Sequence, residues 1–266
     1  MASISNISVG ATYAGNMAHK ARHEMNASIM RLSSGSRTVM GGDAAGQSIG
    51  NNLMARAKSH YVAARNAEDG ISALLTSEAA LNEIANLAYR VREIGIQADN
   101  AALLSSTMEV AAMNAEVAAI YDTINNIHDE VKFNEKALNG EGEKTFAIGS
   151  SIDGTNNNTI QTNDTMETGI ETFTTAADAD GSADKILTDV AIGLGHVAAG
   201  ISSLKGRQAV SYASAANLEA AASRILDTDY ARETANLTKN SVLNQSAMAM
   251  VAQANQAQSA ILAVIQ

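Results

Sequence analysis

The two ends of this 266-residue chain carry matching helical heptads, and its middle does not. Spacings of three and four link Ile4, Ile7, Ala11, Ala14, Ala18, Ala21, Met25 and Leu32, with Ser28 as a polar member. The same spacings link Leu243, Ala247, Met250, Ala254, Ala257, Ile261 and Val264. Each pattern predicts one apolar stripe along a helix, as in the seam of a coiled coil. We therefore expect the two ends to pair with each other or with copies in a neighbouring chain, which is typical of a building block.

Composition supports long helices and excludes several kinds of site. Proline, which breaks helix interiors, is absent, and aromatic residues make up only 3% of the chain. The absence of cysteine excludes disulfides and thiolate metal sites. A net charge of -10 argues against a nucleic-acid partner, which requires clustered Lys and Arg.

Neither end of the chain has the pattern of a membrane or secretory segment. Residues 1–15 lack the apolar run of a cleaved signal peptide. Residues 240–266 carry no charge, but Asn and Gln interrupt them. We therefore expect no segment apolar enough to span a bilayer, and no membrane partner.

Helical periodicity predicts helices over residues 3–33, 44–100 and about 106–131, then from Ser182 to 226 and from 229 to the end. Asp43 and Ser182 are the expected N-caps of the second and fourth helices. Between the third and fourth helices, residues 141–181 are rich in Gly, Asn, Asp and Thr. This composition favours short strands or hairpins around Phe146, Ile148, Ile152 and Ile160.

The predicted fold class is mainly α: a long antiparallel helical bundle or coiled coil with paired terminal helices and a small central insert containing a β-hairpin. We expect a terminal coiled-coil domain (1–34 plus 229–266), a helical-bundle domain (43–140 plus 182–226) and an exposed insert (141–181). Because alanine buries little apolar area, the terminal pair is expected to be weakly stable in the monomer and to gain order on assembly.

Several ordered blocks resemble the signatures of bacterial flagellins. At the N-terminal end these are Arg31-Leu32-Ser33-Ser34-Gly35, Asp43-Ala44-Ala45-Gly46 and Arg65-Asn66-Ala67-Glu68-Asp69-Gly70-Ile71-Ser72. At the C-terminal end they are Asp227-Thr228-Asp229-Tyr230-Ala231 and Ala252-Gln253-Ala254-Asn255-Gln256. The resemblance covers roughly residues 1–140 and 185–266, and the insert matches no family pattern.

The resemblance implies a structural subunit of the flagellar filament, with no enzymatic activity and no cofactor. It implies unfolded export through a type III channel and polymerisation at the filament tip into a homo-oligomer. Terminal helices would line the filament core, the bundle domain would form the surrounding tube, and the insert would face outward. The implied partners are an export chaperone, the filament cap and hook-junction proteins.

Three positions depart from the flagellin pattern. Asp43 follows Gly42 where relatives often have a second acidic residue. Glu135 follows Phe133-Asn134 where relatives often have glycine, so this turn is expected to differ. Ala257 or Gln258 replaces a common proline, so the last helix is expected to continue unbroken.

The resemblance also suggests an innate immune receptor as a partner, with Arg90, Ile94 and Glu116 in positions similar to the recognised helix. Tyr89 stands where glutamine is frequent, which argues against this contact. The alternative is that Arg90 and Glu116 face adjacent helices and form ion pairs, including pairs between subunits.

Other functions have weaker support in the sequence. His19 and His23 have the i, i+4 spacing of zinc ligands but lack a third ligand, so no metal site is predicted. A hook–filament junction protein would share the coiled terminal helices, although the Arg65 and Asp227 blocks favour the filament subunit. A secreted enzyme on the same scaffold would need a catalytic constellation, and none is evident.

Overall fold

The computed structural model describes residues 2–38, 41–100, 107–139, 145–149, 158–161 and 175–265, without the side chains of 2–8, 158, 161, 261–262 and 264–265. The helices of this part are α1 (Ala2–Ser34), α2 (Ala44–Asp99), α3 (Thr107–Glu130), α4 (Ala179–Leu226) and α5 (Tyr230–Ile265), with a 3₁₀ turn at Ala176–Asp178. The strands are β1 (Lys132–Phe133), β2 (Lys136–Ala137), β3 (Thr145–Ile148) and β4 (Asn158–Gln161). The mainly α prediction is confirmed.

The helix starts show one cap that was predicted correctly and one that was not. The Asp43 carboxylate accepts a hydrogen bond from the Gly46 amide at 2.7 Å, which caps α2 as expected. The prediction for Ser182 is wrong, because α4 begins upstream at Ala179 after the 3₁₀ turn. Inside the helix, the Ser182 hydroxyl instead donates to the Asp178 carbonyl at 3.1 Å.

The chain divides into two compact units, one of residues 56–216 and one of residues 1–55 and 217–266. In the first unit, Arg90 on α2 pairs with Glu116 on α3, and Arg92 on α2 pairs with Asp184 on α4. Further along, Gly200 of α4 lies against Leu74 of α2. The order of these contacts shows that α4 runs antiparallel to α2.

Aliphatic side chains at helical spacing form the core of this unit. Its largest fully buried members are Leu74, Leu81, Ile84, Val91 and Ile94 of α2, Val117 and Ile124 of α3, and Val190, Val197 and Leu204 of α4. These stripes follow the predicted periodicity. In the other unit Ile49 of α2, whose spacing with Leu53 predicts a position on one apolar face, is 54% exposed.

Strands β1 and β2 form a hairpin with a two-residue turn. Phe133 pairs with Lys136, and Asn134 and Glu135 between them have φ angles of +48° and +65°. Positive φ at both positions is the signature of the tight turn that fits the twist of a hairpin and usually contains Asn-Gly. Glu135 therefore stands at a position that usually takes glycine and holds a conformation unfavourable for a residue with a Cβ.

Strands β3 and β4 confirm the hairpin predicted for the central insert. Phe146 pairs with Ile160, and the Ile160 side chain is buried against the helical core. The Asn66 amide of α2 donates to the Gly149 carbonyl at 3.0 Å, which holds the end of β3 to the helix. Ile152, also expected in a strand, lies outside the described residues.

One helical stretch is more apolar than we expected from the sequence. Residues 176–226 are long and apolar enough, by length and composition alone, to cross a membrane. The expectation that no segment reaches this limit is therefore wrong. Val190, Val197 and Leu204 supply much of this apolar character, and all three lie in the core of the 56–216 unit.

Candidate assembly surface

Helices α1 and α5 pair along their lengths within the terminal unit. Arg31, near the end of α1, contacts Glu233, near the start of α5. Tyr13, nearer the start of α1, lines one groove together with Met250, nearer the end of α5. The two helices are therefore antiparallel, and the predicted pairing of the chain ends is present within one molecule.

The predicted stripe on α1 lies on the side that faces α5. Ala18 and Ala21 are buried, and Ser28 between the apolar positions is buried as well. Ala11, Ala14, Met25 and Leu32 are partly buried. The side chains of Ile4 and Ile7 lie outside those described.

The stripe of α5 that is shielded by α1 is more polar than the predicted one. Spacings of four and three link its shielded members Glu233, Leu237, Asn240, Asn244, Ala247, Val251, Ala254 and Gln258. Sequence reasoning missed the polar members because it followed apolar residues only. The signal that could have found them is the heptad through Leu237, Asn244 and Val251.

The predicted α5 residues divide between two faces of the helix. Ala247 and Ala254 belong to the shielded stripe, and Ala257 is exposed. Leu243 is 48% and Met250 60% exposed on the flank of the α1–α5 pair. The side chains of Ile261 and Val264 lie outside those described.

A buried polar cluster stands at one end of the pair. The Arg31 guanidinium donates to the Glu233 carboxylate at 3.1 Å, and the Glu233 side chain is only 10% exposed. A hydrogen bond from Ser28 and the charge and hydrogen bond of Arg31 lower the pKa of Glu233, against the opposing effect of burial. Because most other shielded seam positions carry small side chains or amides, this charged cluster is the feature that distinguishes one register from its neighbours.

Beside the seam lies an open, mainly apolar groove of about 510 Å³. Tyr13 and Met17 of α1 and Leu243 and Met250 of α5 supply its large apolar walls. Lys20, Glu24 and Lys239 stand among its lining residues and bring both signs of charge. Apolar side chains around a groove of this size mark a surface that another helix can cover.

A short joint ties the end of α1 to the turn between α4 and α5. The Arg37 amide donates to the Leu226 carbonyl at 2.7 Å, and the Thr228 amide donates to the Gly35 carbonyl at 2.9 Å. Gly35 has a φ of +68°, and a Cβ there would lie 3.1 Å from the Tyr230 hydroxyl. The blocks at Arg31–Gly35 and Asp227–Ala231, far apart in sequence, thus form one structure.

Comparison with known proteins identifies the family. The description "Bacterial flagellin N-terminal helical region" matches residues 6–141, and "Bacterial flagellin C-terminal helical region" matches residues 181–265. The chain belongs to the bacterial flagellin family. Flagellins are the structural subunits of the bacterial flagellar filament; they are exported, form an extracellular homopolymer and are not enzymes.

Relatives of this flagellin include both longer and similar-sized proteins. It is 42% identical over 149 residues to flagellin A of Vibrio cholerae serotype O1, covering 55% of this chain and 39% of that one. It is 31% identical to the flagellins of Halalkalibacterium halodurans (88% and 89% covered) and Bacillus subtilis (85% and 88%). The match thus spans about two fifths of the Vibrio protein's length. A crystal structure of Bacillus cereus flagellin aligns with a TM-score of 0.39 at 20% identity, over 58% of this chain and 88% of that one.

The residues considered for immune recognition lie on α2 and α3 of this flagellin. Arg90 donates to Glu116 at 2.8 Å and to Glu93 at 3.2 Å, and all three side chains are about half exposed or more. Ile94 is 1% exposed and belongs to the core. The Arg90–Glu116 ion pair is therefore formed within one chain, between neighbouring helices.

Proposed function

We propose that this chain is a self-assembling filament subunit, exported unfolded and polymerised through its terminal helices for motility. Membership of a family whose members form homopolymers supports this function. The observation that carries it is the apolar groove beside the α1–α5 seam, walled by Tyr13, Met17, Leu243 and Met250. Pairing of α1 with α5 leaves these side chains exposed, so they are free to contact a second copy.

The apolar surface outside the seam is more extensive than this groove. Large side chains at least 40% exposed in the terminal helices are Val9, Tyr13, Met17, Ile29, Met30, Tyr230, Val242, Leu243, Met248 and Met250. A helix with apolar residues beyond one stripe packs against more than one neighbour. We therefore place copies of the same chain on these faces, with Leu243 and Met250 of the predicted stripe among the contacts.

The resemblance to other flagellins extends the proposal to the other parts of the chain. The terminal domain (1–34 plus 229–266) would line the filament core, the bundle domain (43–140 plus 182–226) the tube, and the insert (141–181) the outer surface. An export chaperone, the filament cap and hook-junction proteins are the proposed partners.

Charge placed in the groove tests the assembly mechanism. We expect the double substitution Leu243→Glu and Met250→Glu to lower the yield of seeded filaments more than about tenfold, because burial of unpaired charge costs several kcal/mol. The measurement is sedimentation and electron microscopy, with circular dichroism to verify that the monomer remains helical. Gln245→Glu, also exposed on α5 but about 200° around the helix from Leu243, is the matched control.

The outcomes separate the competing roles. Filaments of normal yield from the double variant would refute the groove as the contact. Persistent monomers of the unmodified chain, with seeds present, would favour a junction protein that requires a different partner.

A contact with an innate immune receptor is a second proposal and rests on the family resemblance and on exposure. Arg90 and Glu116 are accessible in the subunit, whereas Ile94 would act from beneath them by supporting α2. Weaker receptor binding by Arg90→Ala than by Lys20→Ala would support it, and equal binding would remove it.

A further inference from the structure

We propose that Met17 and Met250 are oxidation sites in the free subunit, and that their conversion to sulfoxides blocks addition of the subunit to a filament. Both thioethers line the groove described above, one on α1 and one on α5. Met17 is 40% and Met250 60% exposed. The inference rests on the proposed function, since it concerns the surface through which subunits are expected to join.

The chemistry follows from composition and exposure. The chain has no cysteine, so no thiol competes for an oxidant, and methionine is the main two-electron target. With hydrogen peroxide, a sulfur lone pair attacks one peroxide oxygen and the O–O bond breaks. The sulfur is oxidised to the sulfoxide, the peroxide is reduced, and its second oxygen leaves as water after proton transfer.

The sulfoxide changes the groove mainly by making its walls polar. A thioether is an apolar, flexible side chain that packs well against an irregular partner surface. A sulfoxide carries a strong dipole and an oxygen acceptor, and it must lose water when a second copy covers the groove. The contacting surface of the subunit is thereby made polar while the α1–α5 seam, built from other residues, is left unchanged.

The same geometry predicts an asymmetry between free and assembled chains. In the free subunit the groove is open to solvent, whereas in a filament the neighbouring copy would cover it. Oxidation would therefore stop new growth and leave existing filaments intact. Because methionine sulfoxide is enzymatically reducible, the block is reversible.

The test compares oxidised subunits in a seeded polymerisation assay. Subunits are treated with hydrogen peroxide, the sulfoxide at each methionine is quantified by peptide mass spectrometry, and the elongation rate is measured. We expect oxidised wild type to elongate about tenfold more slowly and to recover after treatment with methionine sulfoxide reductases. The double variant Met17→Leu and Met250→Leu, which conserves volume, should lose markedly less of its rate than wild type after the same treatment, although Met30 and Met248 remain exposed.

A matched variant isolates the two sites. Met108→Leu removes the most exposed methionine among the described residues, at 78% exposure, from outside the terminal unit. It should lose elongation on oxidation as wild type does. Equal rates for oxidised and untreated wild type, or equal losses for the double variant and wild type, would overturn the proposal. Untreated wild type that fails to elongate at all would instead overturn the proposed function.

Discussion

Two glutamates occupy positions that are unfavourable for a charged side chain or for a residue with a Cβ. Glu135 occupies the second position of the β1–β2 turn with a φ of +65°, a position that suits glycine. Glu233 places a carboxylate in a seam otherwise made mainly of small side chains and amides. Glu135 strains the backbone locally, whereas Glu233 is a buried charge that Arg31 and Ser28 stabilise.

Replacement of Glu135 should relieve the strain in the turn. We expect Glu135→Gly to raise the free energy of unfolding by roughly 0.5–1 kcal/mol, because glycine adopts positive φ without a Cβ clash. Urea denaturation of the full chain measures it. Glu135→Ala is the control: a gain equal to that of glycine would show that the Glu side chain, and not the backbone, causes the cost.

Acid should weaken the terminal pair through Glu233. Its folded-state pKa lies below the ordinary value of 4.5, so its contribution to stability is present above that pH and is lost as pH falls through the folded value. We expect the α1–α5 pair to open more readily below pH 4.5. Glu233→Gln should destabilise the pair by roughly 1 kcal/mol at pH 7 and flatten this dependence.

Hydrogen exchange of residues 9–30 across the pH range measures this effect. Glu24→Gln, on the exposed side of α1, is the control and should leave the profile unchanged. A Glu233→Gln profile as steep as wild type would assign the acid sensitivity to other carboxylates.

At the scale of elements, Gly95 allows α2 to approach the backbone at the start of α4. A Cβ at Gly95 would lie 2.5 Å from the Asp180 amide nitrogen, and backbone cannot move aside as a side chain can. We expect Gly95→Ala to lower the free energy of unfolding by about 1–3 kcal/mol, despite the better helix propensity of alanine.

Gly195 on α4 provides a matched comparison for thermal or urea unfolding. No atom lies within 4 Å of a Cβ placed there. Gly195→Ala should therefore stabilise by up to about 1 kcal/mol through propensity alone. The same sign of change at both glycines would contradict the close-approach explanation.

The elements that sequence could predict are those with a single dominant buried stripe. The α3 stripe through Met113, Val117 and Ile124 repeats at helical spacing, and the structure buries all three. The shielded face of α5 was not predicted because Asn240 and Asn244 lie on it. A pattern built from apolar residues alone does not include amide side chains. The prediction for Ile49 is wrong for the opposite reason: this apolar residue has the expected spacing but is 54% exposed, while its neighbour Gly50 packs against Leu226.

At the scale of the whole molecule, the two compact units differ in how they bury their side chains. The 56–216 unit has a core of Leu, Ile and Val, whereas the described seam of α1 and α5 fully buries only Ala18, Ala21, Ser28 and Glu233. Burial of an alanine removes far less apolar area from water than burial of a leucine. The terminal pair is therefore expected to open at a much lower free energy than the larger core.

Hydrogen exchange on monomer and filament tests this difference. We expect amides of residues 9–30 to exchange rapidly in the monomer and to become protected on assembly, while residues 74–94 are protected in both states. Equal protection of residues 9–30 in both states would contradict gain of order on assembly. Deletion of 240–266 should abolish polymerisation and leave residues 74–94 protected.

The groove beside the seam has walls from both helices, so it exists only while α1 and α5 are paired. A ligand that binds only the paired form stabilises that form by mass action, and here the ligand is the next subunit. Folding of the ends and growth of the polymer are then one coupled equilibrium. An isolated chain whose α1 and α5 are unpaired lacks a complete groove, and this delays nucleation in solution. At a growing tip, the subunits already present supply the surface that favours pairing of α1 with α5.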